Sequence, residues 1–275
     1  MKFSMHYGAL GLDTPFDQGF AFAAECGLQG VELVMKEDSP LPPDTCASRA
    51  GELRRMAEDA GLCISGLSNA CLWSHPLTAN DEASRRRGQD SLLRQIELAS
   101  QLGAKRLLVI PGYAGTDYIP SAEKVPYDIA LGRAREGLAL ALPAAQQAGV
   151  CLCVENVWNR LLLSPLELAA LVDGFDSPAL GLYFDVGNAM LYGDPELWIP
   201  LLGKRIRAVH IKDVLRNRAD ASAHTLLGQG HVPFPAVRTA LNDIGYQDWL
   251  TLEVHLTLPR QILKSQIACM QRLMA

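Results

Sequence analysis

A chain of 275 residues with 49% hydrophobic content can bury a large core, and a formal net charge of −5 argues against a nucleic-acid surface. No apolar run reaches the roughly 18 residues of a membrane span, and the first residues read as a strand and not as a signal segment, so a cytoplasmic protein is expected. Seven cysteines, an odd number scattered along the chain, are no disulfide framework and read as free thiols in a reducing compartment.

In chain order, apolar runs at 2–8, 30–35, 62–68 and 106–110 read as strands, followed by helical patterns at 15–26, 45–60, 81–102 and 127–148. The second half repeats the alternation, with strands at 150–155, 180–185, 206–211 and 249–254 and helices at 165–174, 195–203, 234–244 and 259–274. Gly27, Gly61, Gly103, Gly149 and Gly245 each follow a helix, where a left-handed residue closes the last turn. Eight strands alternating with eight helices predict an α/β fold, one (β/α)8 TIM barrel domain over residues 1–275. A doubly wound open sheet is the weaker alternative, because no Gly-rich turn follows the first strand. The longest loops, 111–126 and 212–233, follow strands four and seven and would cover the active face.

Strands five to eight end on Glu155, Asp185, His210 and Glu253. In such a barrel the C-terminal strand ends converge on one face, so these four residues would meet. Counting back by twos places Cys153 and Cys151, Tyr183 and Gly181, Ala208 and Ile206, and Thr251 and Trp249 inside the barrel. The alternate residues, Leu152, Val154, Leu182, Phe184, Val209, Leu250 and Leu252, are apolar and would face the helices; Arg207 alone breaks the rule. Taken singly, an acidic residue after a strand is more often a helix cap, and a lone histidine a plain polar group. Together, three carboxylates in one cavity would repel and take up protons unless a cation sat among them. A set of three carboxylates and one imidazole suits one divalent ion: Mn²⁺ by preference, or Mg²⁺, Co²⁺ or Zn²⁺. Cys151 and Cys153 share the inner face as small filler side chains and not as ligands.

The segments around these residues carry a family likeness. Glu155-Asn-Val-Trp-Asn-Arg, Tyr183-Phe-Asp-Val-Gly-Asn, Ile206-Arg-Ala-Val-His-Ile-Lys-Asp and Leu227-Gly-Gln-Gly-His-Val-Pro-Phe resemble the sugar phosphate isomerases/epimerases of the xylose-isomerase-like barrel superfamily. The resemblance is densest from 105 to 255 and closest to ketose and sugar-phosphate 3-epimerases. It implies that Glu155, Asp185, His210 and Glu253 are the metal ligands, that Glu155 and Glu253 are also the acid/base pair, and that Arg216 contacts a substrate oxygen. Two positions depart from the free-ketose pattern: Asn188 stands where those enzymes have histidine, and Leu161 where they have glutamate. A sugar phosphate or another polyol therefore stays open.

The chemistry explains the residue types. A proton on carbon beside a carbonyl is too weakly acidic for an unaided carboxylate, and a metal on the substrate oxygens stabilises the enediolate that forms. One glutamate removes the proton and the other returns it on the opposite face, giving epimerisation; return to the neighbouring carbon gives aldose–ketose isomerisation. Lys212, two residues past His210, should point to the cavity as a substrate contact, with Asn188 and Trp158 in the loops beside it. Glu32, at the end of strand two, fits a structural or a substrate role equally, Asp213 a loop cap or a site residue, and His231 a lid. His6 and His75 read as core or loop histidines, and Arg85-Arg-Arg87 as a solvated face. The expected partner is a small sugar or sugar phosphate, with no nucleic acid and no membrane; homo-oligomerisation stays open. The rivals are a lyase dehydrating a polyol-derived ketone, a DNA-repair endonuclease of the related barrel type, and a non-catalytic sugar-binding protein. Opposed glutamates around a metal disfavour the last, and few histidines with a negative chain disfavour the endonuclease.

Overall fold

The computed structural model describes residues 1–119, 121–216, 218, 221–254 and 258–275. Eight strands form its sheet: β1 (Lys2–His6), β2 (Gly30–Met35), β3 (Cys63–Asn69), β4 (Arg106–Val109), β5 (Cys151–Glu155), β6 (Leu180–Asp185), β7 (Ile206–Ile211) and β8 (Trp249–Leu252). Each pairs in parallel with its sequence neighbours, and β8 pairs with β1 to close the barrel. Closure leaves no unpaired edge.

Helices Phe16–Glu25, Ala47–Asp59, Glu82–Leu102 and Tyr127–Ala148 follow the first, second, third and fourth strands. Pro165–Asp173, Pro195–Leu202, Phe234–Asp243 and Arg260–Met274 follow the other four, so the fold is the expected (β/α)8 barrel. Local chemistry sets several boundaries. Asp81 opens its helix by accepting a hydrogen bond from the Ser84 amide at 2.7 Å, and Gly103 closes it with φ of 78°. Gly27, Gly61, Gly149 and Gly245 likewise adopt positive φ, as their places after helices required.

The core divides as the period-two pattern predicts. Leu152, Val154, Leu182, Phe184, Val209, Leu250 and Leu252 join one large cluster between barrel and helices. Each such fully buried aliphatic side chain contributes about 2 kcal/mol. Leu108, Ile110, Cys153, Val157, Tyr183 and Ala208 form a separate cluster inside the barrel. Ile206 corrects the simple count. It packs in the outer cluster, because the register slips between Leu182 and Tyr183: Leu182 pairs with Ile206, but Tyr183 pairs with Ala208. Arg207 is the extra residue of that bulge, which accounts for its exposed place in an otherwise buried strand.

The loop after β7 holds a short antiparallel pair, Asp213–Val214 with His224–Thr225. Asp213 is buried, and its carboxylate accepts hydrogen bonds from the amides of Gly228, Gly230 and Val232 at 2.9, 2.9 and 3.1 Å. Its role is therefore to tie the loop. Among the described residues no helix is long and apolar enough to cross a membrane.

Candidate active site

Glu155 and Asp185 close their strands, His210 is the last residue but one of its strand and Glu253 follows the last strand, so barrel closure brings the four together. One donor atom from each lies within 4.8 Å of the others, and all four residues are buried. His210 Nδ1 stands 3.2 Å from Glu155 Oε1, 3.6 Å from Glu253 Oε2 and 3.7 Å from Asp185 Oδ2. Asp185 combines both of its sequence readings. Its Oδ1 accepts the Asn188 amide at 2.7 Å as a cap, while Oδ2 faces the cluster.

Neighbouring residues hold these ligand-type side chains in place. Asn156 bonds twice to the Asp185 backbone, accepting its N–H and donating to its carbonyl, both at 2.8 Å, which ties the tops of β5 and β6. Glu32, fully buried on β2, lies 3.2 Å from His210 Nε2 and also accepts the Tyr183 hydroxyl. Tyr183 in turn meets the Thr251 hydroxyl at 3.3 Å. The imidazole thus presents Nδ1 to the three carboxylates and Nε2 to Glu32. A lone acidic residue in strand two gives no sequence signal for this, beyond its place near the mouth.

Lys212 enters the cluster itself. Its Nζ lies 2.7 Å from Glu253 Oε2 and 2.9 Å from Asp185 Oδ2. Burial opposes its charge, but Asp185, Glu253 and Glu155 outweigh that and raise its pKa well above the ordinary lysine value. Burial likewise opposes a charged His210, and Glu253, Glu32 and the other carboxylates raise it well above the usual range. Burial, with help from Glu253 and Asp185 and against the pull of His210, pushes the Glu155 carboxyl up to about 7. Four carboxylates facing one lysine and one imidazole leave excess negative charge. This donor set fits a divalent cation.

A cavity of about 330 Å³ opens beside the cluster, lined in part by Glu155, Lys212 and Glu253. Trp158 and Asn188 stand in the wall behind it: the Trp158 indole donates to the Asn188 carbonyl at 3.1 Å and stacks on Tyr118. Both side-chain polar atoms of Asn188 are buried and without a hydrogen-bond partner. Arg216 is not brought to this cavity. Its guanidinium pairs with Asp194 and donates to the Gly193 carbonyl at 2.8 Å, in a separate cleft shared with His231. The ladder formed by Asp213–Val214 sets that course, and His231 Nδ1 accepts the Arg216 amide at 3.0 Å. His6 lies at the mouth, 6.0 Å ring to ring from His210, and His75 bonds Ser84 outside the cluster. Arg85 departs from the solvated-face reading: it donates to the carbonyls of Ala79 and Asn80 at 2.7 and 2.9 Å.

Residues 20–273 match the xylose isomerase-like TIM barrel family, and the chain belongs to it. A fructoselysine 3-epimerase of Shigella flexneri is 23% identical over 254 residues, covering 87% of this chain and 85% of its own. A 2-epi-5-epi-valiolone 7-phosphate 2-epimerase of an Actinoplanes species is 28% identical over 198 residues, covering 70% and 65%. In three dimensions the chain superimposes on D-psicose 3-epimerase from Clostridium cellulolyticum H10 with a TM-score of 0.83, at 15% identity, over 99% of this chain and 98% of the other. That last likeness is one of fold.

Proposed function

We propose that this protein is a divalent-metal-dependent epimerase or isomerase of a ketose or sugar phosphate. The observation that carries the reading is the placement of Glu155 and Glu253 on one cavity, within a single buried cluster that also holds Asp185 and His210. Relatives named as a fructoselysine 3-epimerase and a 2-epi-5-epi-valiolone 7-phosphate 2-epimerase support epimerase chemistry. Glu155, Asp185, His210 and Glu253 would hold the ion, Mn²⁺ by preference. When bound, the ion supplies Lewis-acid stabilisation of negative charge on the substrate's carbonyl and hydroxyl oxygens.

The chain's own residues supply proton transfer and placement. One of Glu155 and Glu253 takes the proton from the carbon beside the carbonyl, and the other delivers a proton to the opposite face. Lys212, on the cavity, is the polar contact for substrate oxygens, and Trp158, bonded to Asn188, braces Tyr118 in its lining.

Deuterium incorporation from D₂O into ketoses and ketose phosphates, with Mn²⁺ and with EDTA, tests the proposal. Exchange at one carbon that EDTA abolishes is expected. Loss of water from the substrate would assign the lyase chemistry instead, and exchange indifferent to EDTA would remove the metal from the reading.

A further inference from the structure

The cavity beside the cluster has a lining of two unlike kinds. Besides Glu155, Lys212 and Glu253, its lining is Trp73, Ile110, Tyr118, Ile119 and Val157. Tyr118 meets Trp73 edge-on at 5.9 Å and stacks on Trp158, which stacks in turn on His224 at 5.4 Å. The Tyr118 hydroxyl is also within 3.3 Å of His224 Nε2. These residues thus form a braced aromatic and aliphatic part of the same cavity lining as the acid/base residues.

Cations are scarce around it. Lys212 is the only one among the described lining residues, and Asp185 and Glu253 hold its Nζ at 2.9 and 2.7 Å. Arg216 is engaged with Asp194 and Gly193 in the separate cleft, and Arg160 is bidentate to Asp117 at 2.7 and 2.9 Å. None of the residues outside the description, Pro120, Asn217, Ala219, Asp220, His255, Leu256 and Thr257, is lysine or arginine. A phosphate ester brings roughly −1.5 to −2 charges at neutral pH. Seated on the apolar residues of the lining, that charge would be desolvated without a cation to pair with. Apolar substrate surface gains from the same lining as it leaves water.

Resting on the epimerase reading above, we propose that the substrate is an unphosphorylated keto sugar whose end remote from the reacting carbons is apolar, a deoxy or O-alkyl ketose seated on Trp73, Tyr118 and Ile119. A cavity of about 330 Å³ is near the small end of ligand sites, roughly 300–1,000 Å³, and suits one sugar unit.

The test uses matched triplets of ketoses: the parent, its terminal deoxy analogue and its terminal phosphate ester, each supplied to the Mn²⁺-loaded enzyme in D₂O. The deoxy analogue should exceed the parent in kcat/KM by about tenfold, since one apolar contact discriminates on that scale. The phosphate ester should fall at least ~100-fold below the parent, the cost of an unpaired buried charge. Ile119→Lys, which adds a cation to the wall, should narrow the phosphate gap and reduce the deoxy preference. Calorimetric titration of the same triplets into the Glu253→Gln variant reads binding without turnover and should give the same order. A phosphate ester equal to or better than the parent, or no preference for the deoxy compound, overturns the proposal and leaves the epimerase reading standing. Binding in the proposed order with no exchange in any triplet overturns the epimerase reading instead, and neither binding nor exchange overturns both.

Discussion

Glu32 Oε2 lies 3.2 Å from Nε2 of His210, on the far side of the ring from the nitrogen that faces Glu155, Asp185 and Glu253. The contact fixes which nitrogen carries the proton and which offers its lone pair to an ion. Removing such a support typically costs ~10–100-fold in metal affinity. Calorimetric titration of Mn²⁺ into metal-stripped Glu32→Gln should show a loss in that range. Tyr183→Phe, which removes only the hydroxyl held by Glu32, should show a smaller one. Wild-type affinity in Glu32→Gln would refute the assignment.

Lys212 gives a second prediction. In the absence of a divalent ion, its ammonium is the counter-charge to Asp185 and Glu253, buried with them. Deleting one partner of a buried ion pair costs about 3–5 kcal/mol, because the remaining charges stay unpaired. Metal-stripped Lys212→Met should lose stability on that scale in urea unfolding, and saturating Mn²⁺ should recover much of the loss. Equal stability of variant and wild type without metal would show that the lysine does not neutralise the cluster.

The four ligand-type residues were legible because two constraints overlap there. A buried parallel strand must be apolar on its helix side, so a charged residue at the end of such a run stands out, and barrel closure gathers the ends. The same reasoning misplaces Ile206, because a bulge at Arg207 changes the parity of β7 and no residue preference marks a bulge in advance. Trp73 and Tyr118 were invisible for another reason: they sit in the connections after β3 and β4, where no period relates sequence to direction. Arg216 shows the limit from the other side. The family resemblance implies a substrate contact for it, but the short ladder and Asp194 take it elsewhere. Glu32 was visible as a residue near the mouth, while its partner His210 comes from a strand far along the chain.

Asp213 supports a third prediction, about the loop after β7. One buried carboxylate accepts the amides of Gly228, Gly230 and Val232, and charged hydrogen bonds of this kind contribute about 1.5–3 kcal/mol each when lost. Asp213→Ala should destabilise the protein by roughly 3 kcal/mol in chemical denaturation, less than the sum because water can reach the freed amides. Amide exchange should quicken between 226 and 232. Gly230→Ala should act in the same direction, since an added Cβ would press on the Asp213 carboxylate. Unchanged exchange in both variants would show that the loop is held by something else.

The last prediction separates proton transfer from folding. Glu155 and Glu253 share the cavity with Lys212, and the proposed chemistry needs a carboxylate on each face of the substrate carbon. Glu155→Gln and Glu253→Gln each keep an oxygen for the ion but remove the group that accepts a proton. Solvent deuterium exchange should fall by ~100-fold or more in each, the usual worth of a placed acid or base. Stability should not fall in step. The Glu155 carboxyl, with a pKa raised to about 7, binds its proton more tightly folded than unfolded, so as pH rises above the ordinary carboxylate value its ionisation weakens the fold. A neutral glutamine removes that burden, and metal-stripped Glu155→Gln should unfold at a temperature equal to or above wild type at pH 8. Loss of both exchange and folding in this variant would mean that the residue is chiefly structural. Near-wild-type exchange in either variant would take that glutamate out of the acid/base pair, and the proton would then have to move through another group on the cavity.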